Sequence, residues 1–66
     1  MTIEVLVPEN DVGLFRSVLD QTAGVPPVGA ENKDYPLHRT LTYDAPGKED
    51  GIWFDALEMG GVARIY

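Results

Sequence analysis

Apolar and polar residues alternate from Thr2 to Val7. Ile3, Val5 and Val7 fall on one side of an extended chain, and Thr2, Glu4 and Leu6 on the other. Pro8 is the expected end of this strand, because proline cannot donate to a β-ladder. The period then changes. Val12, Phe15, Val18, Leu19 and Thr22 recur at three- and four-residue spacings, which predicts a helix over about residues 11 to 23 with one apolar face. Arg16, Ser17, Asp20 and Gln21 make its wet face. Asn10 is the candidate N-cap, and Glu9 and Asp11 suit the positive end of the helix dipole. Gly24 suits a left-handed C-cap, and Pro26-Pro27 forbids continuation.

Residues 24–35 read as a connector. Val25-Pro26-Pro27-Val28 is expected to be extended, near polyproline II, and Glu31-Asn32-Lys33-Asp34 is turn-prone. Leu37 to Tyr43 resumes a strand, with Leu37, Arg39, Leu41 and Tyr43 on one face and His38, Thr40 and Thr42 on the other. Asp44 to Gly51 reads as a loop with a type II turn at Pro46-Gly47.

Residues 52–66 admit two readings. Ile52, Trp53, Ala56 and Leu57 could line a short helix. Alternatively, Gly60-Gly61 is a two-residue hairpin signal followed by the strand-like Val62–Tyr66, and this reading is preferred. The hairpin would set Met59 opposite Val62, Leu57 opposite Arg64 and Asp55 opposite Tyr66. Ile52, Phe54, Ala56, Ala63 and Ile65 would form its apolar inner face. Trp53, Asp55, Leu57, Met59, Val62, Arg64 and Tyr66 would form a mixed outer one. The expected fold is a single α+β domain over residues 1–66: an N-terminal strand, one amphipathic helix and a C-terminal three-stranded antiparallel meander. Its expected core is Ile3, Val5, Val7, Phe15, Val18, Leu19, Leu41, Phe54, Ala56 and Ile65.

Composition narrows the setting. The chain has no cysteine, so neither a disulfide nor a thiolate metal site can staple it, which favours a reducing, cytoplasmic compartment. No basic segment precedes an apolar run at the N-terminus. The longest apolar stretch, Val5-Leu6-Val7, is far too short to span a bilayer.

Charge changes the picture most. Eleven Asp and Glu residues stand against five Lys and Arg, a net charge of −6. Such a surface repels nucleic acid and anionic membranes and attracts basic protein surfaces. Candidate chemistry is sparse. Ser17 is the one serine and His38 the one histidine, and nothing in the sequence brings them together as a triad requires. Asp44-Ala45-Pro46-Gly47-Lys48-Glu49-Asp50-Gly51 clusters oxygen ligands but lacks EF-hand spacing. No catalytic residue, metal or cofactor is expected.

In length, acidity and lack of catalytic residues the chain resembles small phage-encoded inhibitors, including anti-CRISPR and DNA-mimic anti-restriction proteins. That resemblance rests on bulk properties and implies a stoichiometric inhibitor that blocks a nucleic-acid site on a larger complex.

The expected function is therefore non-enzymatic binding to a basic surface of a larger protein or nucleoprotein complex. Glu9, Asp11, Asp20, Asp44, Glu49, Asp50, Asp55 and Glu58 are the expected contacts, with Trp53 or Tyr66 as an apolar anchor. Two alternatives stay open. One is a homo-oligomeric or accessory subunit pairing through the mixed hairpin face. The other is a minimal enzyme using His38 with a neighbouring acid. Monomer and homodimer are both compatible with the sequence.

Overall fold

The computed structural model describes residues 1–28 and 37–66. Strand β1 (Ile3–Pro8) runs into a 3₁₀ turn (Glu9–Asp11) and helix α1 (Val12–Ala23). Strand β2 (His38–Tyr43), helix α2 (Glu49–Glu58) and strand β3 (Val62–Ile65) follow. The three strands form one antiparallel sheet in the order β2-β1-β3. The α+β class is as expected. The C-terminal meander is not: there is one strand fewer, and the N-terminal strand is the centre of the sheet.

Alternation in β1 explains its central place. Ile3, Val5 and Val7 are completely buried, and the register sets them beside Tyr43, Leu41 and Arg39 of β2, while Ile3 and Val5 also face Ile65 and Ala63 of β3. Both helices lie on this one face of the sheet, supplying Phe15, Leu19 and Ala23 from α1 and Ile52 and Ala56 from α2. Each of the larger side chains contributes about 2 kcal/mol on burial. The opposite face carries Glu4, Leu6, Thr40, Thr42, Val62 and Arg64, and among the described residues no helix lies over it.

Helix α1 falls within a residue of its expected span. Gly24 sits at φ +76° and donates its N–H to the Asp20 carbonyl at 2.8 Å, closing the helix in the left-handed cap its lack of a Cβ allows. Asn10 is not the N-cap: it lies inside the 3₁₀ turn, Asp11 flanks the helix, and no side chain caps it. Pro8 is the last residue of β1, paired with His38, and ends the strand as expected. Val28 donates to the Thr42 carbonyl at 2.7 Å, so the diproline stretch returns along β2. The expected turn at Glu31–Asp34 lies outside the described residues.

Residues 49–58 are helical, which overturns the hairpin. Ile52, Ala56 and Met59 recur at helical spacing and face the core. The glycine pair closes the helix instead of turning a hairpin. Gly60, at φ +85°, donates to the Leu57 carbonyl, and Gly61 donates to the Ala56 carbonyl at 2.8 Å. These are the two bonds of a Schellman motif. The cross-strand pairs expected for Met59, Leu57 and Asp55 therefore do not exist. The expected loop ends at Lys48. Within it, Lys48 donates to the Ala45 carbonyl across Pro46 and Gly47, the latter at φ +83°, as the type II reading required.

The core differs from expectation in three places. Phe54 is exposed, because on a helix it lies opposite the buried line; Val18 and Ile65 are half-buried. Tyr43, Ile52, Ala23 and Ala45 are buried instead. Among the described residues, no helix is long and apolar enough to cross a membrane.

Gly61 is the tightest point of the turn. A Cβ there would lie 2.8 Å from the Phe15 ring and 3.2 Å from the Ala56 carbonyl oxygen. Gly61→Ala is expected to lower stability by about 2 kcal/mol through overpacking. Gly13→Ala, in an exposed helical position with nothing within 4 Å, is expected to be neutral or mildly stabilising. Urea unfolding of the two variants checks this, and equal midpoints would contradict it.

Candidate functional site

The eight carboxylates expected to make contacts divide into two groups. Three are engaged inside the fold. Glu9 Oε1 accepts from Arg39 Nη2 at 2.6 Å, tying the 3₁₀ turn to β2. Asp55 Oδ2 accepts from the Thr22 hydroxyl at 2.5 Å, joining α2 to α1. Asp20 accepts from two sides: the Tyr43 hydroxyl on Oδ1 at 2.5 Å and Arg16 Nη2 on Oδ2 at 3.1 Å. Asp11, Asp44, Asp50 and Glu58 are exposed; Glu49 is half-buried and accepts the Gly47 N–H at 3.0 Å.

These remaining carboxylates do not form one field. The helices run antiparallel, because Gly51 of α2 lies against Thr22 late in α1 while Gly61, just past α2, lies against Phe15 early in α1. Asp11 and Glu58 therefore share one end of the helical layer, and Asp44, Glu49 and Asp50 the other. Glu49 and Asp50 occupy the first turn of α2, where their charge also favours the helix dipole.

Helix α2 carries a feature that the hairpin reading concealed. Successive residues turn by about 100°. Asp55 faces α1, and Ile52 and Ala56 face the sheet. Trp53 and Leu57 come next around the axis, on the side away from α1. Phe54 follows, pointing outward. These three side chains are 41, 44 and 59% exposed respectively. Tyr43 on β2 bonds to α1, and β3 follows α2 after the turn at residues 59–61, so α1 lies towards β2 and α2 towards β3. Trp53 and Leu57 thus overhang β3. Going round the helix, Glu49 precedes this pair and Asp50 follows it, with Glu58 beyond Phe54.

The two expected anchors do not share a face. Trp53 stands in the helical layer. Tyr66 pairs with Thr2 on the sheet face opposite the helices, where its hydroxyl donates to Glu4 at 2.9 Å and accepts from Arg64 at 3.1 Å. The mixed hairpin face offered for self-pairing is accordingly split between the two sides of the molecule. Phe54, expected in the core, is the exposed aromatic side chain that sequence reasoning missed. The i, i+4, i+7 series Ile52, Ala56, Met59, read with Gly60 as a helix stop, would have revealed it.

Ser17 and His38 are far apart in role as well as in sequence. Ser17 donates to the Leu14 carbonyl at 2.7 Å on the exposed side of α1, whereas His38 pairs with Pro8 at the far end of β2. Among the described residues, no group of three His, Asp or Glu side chains is placed to hold a metal ion.

Among the described residues, Tyr43 is the one strongly perturbed titratable group. It is fully buried, and burial together with the Asp20 carboxylate raises its pKa well above the ordinary value near 10. The folded state thus holds this proton where the unfolded chain releases it. Its contribution is complete below about pH 10 and is lost as pH rises further, at up to about 1.4 kcal/mol per pH unit. Tyr43→Phe is expected to cost about 1–2 kcal/mol at pH 7, by leaving Asp20 one donor short. The variant should also have a flatter decline above pH 10. Denaturant unfolding at pH 7, 9.5 and 11 measures both, and parallel pH profiles for the two proteins would refute the assignment.

Comparison with protein-family models, curated protein sequences and solved structures gives no match to this chain.

Proposed function

We propose that this chain is a protein-binding module whose contact surface is the outward side of α2. Trp53, Phe54 and Leu57 form its apolar centre, and Glu49, Asp50 and Glu58 form an acidic rim. The observation that carries this reading is the exposure of three large apolar side chains within five residues of one helix. Isolated apolar residues on a surface need no explanation, but such a cluster bounded by charge is the pattern of an interface. Trp is enriched at binding hot spots, and Phe54 and Leu57 extend the area it offers.

The rim specifies the partner's chemistry. A net charge of −6 favours encounter with a basic surface, and carboxylates beside a tryptophan suit a Lys or Arg that both pairs and stacks. Inhibition of a nucleic-acid-binding protein is one consequence of occupying such a surface. A literal imitation of a phosphate backbone draws less support, because Glu9, Asp20 and Asp55 are engaged internally and the remaining carboxylates stand at opposite ends of the helical layer.

The immobilised chain, exposed to cell lysate at low salt, is expected to retain basic proteins that elute as salt rises. Trp53→Ala should weaken retention by about 2 kcal/mol, and Asp50→Asn with Glu58→Gln should move elution to lower salt. An unchanged elution profile for both variants would overturn the reading.

A further inference from the structure

We infer that the partner contributes an extended, lysine- or arginine-bearing segment that adds to β3 as a fourth strand beneath Trp53 and Leu57. This rests on the protein-binding reading above and adds the binding mode and the partner's conformation.

The two edges of the sheet are treated differently. In an antiparallel ladder, alternate residues direct their N–H and C=O to alternate sides. Glu9 donates to the Leu37 carbonyl, so odd-numbered residues of β1 bond to β2; Tyr66 donates to the Thr2 carbonyl, so even-numbered ones bond to β3. On β2, the residues turned outward are 38, 40 and 42, and the Thr42 carbonyl already takes the Val28 N–H. On β3, Ala63 and Ile65 are turned outward. Strand β3 ends the sheet, and among the described residues no backbone group bonds to either one from that side. Among the described residues, the chain's own backbone covers one edge and not the other.

The open edge has little of the protection edge strands usually carry. It has no proline and no inward-facing charge; its Arg64 lies on the uncovered sheet face. An added strand would find two hydrogen-bonding residues, an apolar inner row of Ala63 and Ile65, and an overhang of Trp53 and Leu57 above it. Backbone bonds supply affinity in this mode, and alternate side chains supply specificity.

Charge selects the occupant. Residues 59–66 contain no carboxylate, whereas Glu49 and Asp50 bracket the overhang on α2. A second copy paired edge to edge would bring two such acidic overhangs towards each other. A segment that turns its lysine or arginine side chains to the helical side of the added strand would instead place cations against them.

The test uses the full isotope-labelled chain at low salt and two ten-residue peptides, one alternating valine with lysine and one alternating valine with glutamate. The Val–Lys peptide is expected to slow amide exchange at Ala63 and Ile65 at least tenfold and to shift the Trp53 indole resonance. The Val–Glu peptide should do neither. Ala63→Pro removes an outward N–H that β1 does not use, and should abolish the protection at Ile65 while leaving the β1–β3 resonances in place. Leu57→Lys, which removes the apolar cover and adds a like charge, should weaken the same response if the proline variant fails to fold. Slowing at these amides that grows with protein concentration and needs no peptide would overturn the inference in favour of a second copy. Lysate retention that falls with Trp53→Ala but not with Ala63→Pro would overturn the edge alone and leave the helical contact surface standing. Loss of neither retention nor peptide response in any variant would overturn both.

Discussion

The burial of Ile3, Val5 and Val7 in a strand flanked on both sides is the constraint from which the architecture follows. All three are sealed from water, and the strand's two hydrogen-bonding directions are both occupied, one by β2 and one by β3. A 66-residue chain removes only about 60% of its unfolded surface on folding, so it cannot leave such a row half covered. Two helices are needed to roof it, and the second comes from a stretch short enough to pass for a strand. Phe15, Leu19, Ile52 and Ala56 meet over β1, and the roof leaves the other face of the sheet to Glu4, Thr42, Arg64 and their neighbours.

How α2 ends decides what the surface displays. A hairpin at Gly60-Gly61 would have turned every second residue inward and buried Phe54. The Schellman closure keeps the chain helical to Glu58, so the side chains are sorted by 100° steps instead of alternation. Ile52 and Ala56 go in, Asp55 reaches Thr22, and the aromatic pair Trp53-Phe54 remains outside. The same turn sends β3 back under α2, so the exposed apolar side chains and the open sheet edge belong to one region. One backbone event thus generates both parts of the proposed interface.

Acidic composition serves two ends in this molecule. Asp20, Asp55 and Glu9 each bridge elements that packing alone brings together, and in the case of Asp20 the bridge holds a fully buried tyrosine hydroxyl. A buried hydroxyl without a partner is costly, and a charged acceptor makes the stronger bond. These carboxylates are therefore structural first. Asp11, Asp44, Asp50 and Glu58 are exposed and give the outer surface of the helical layer its acidic character.

Much of the local structure was legible in the chain. Period-two alternation located β1 and the faces of β2, three- and four-residue spacing located α1, and Gly24 marked its end, because each depends on neighbours a few residues away. The class, α+β, followed from these. What the tertiary structure decided is whatever depends on a distant partner. Gly60-Gly61 is compatible with a hairpin or a helix stop, and the choice rests on whether Ile52, Ala56 and Met59 find a core to enter, which Phe15, Leu19 and β1 provide. The pairing of the first strand with the last is likewise invisible to local pattern. So is the fate of each carboxylate: Asp20 and Asp50 look alike in sequence, and only the approach of Tyr43 and Arg16 separates an internal acceptor from a free surface charge. Local periodicity is written in covalent spacing, whereas burial and ion pairing are set by which surfaces meet after the chain has closed on itself.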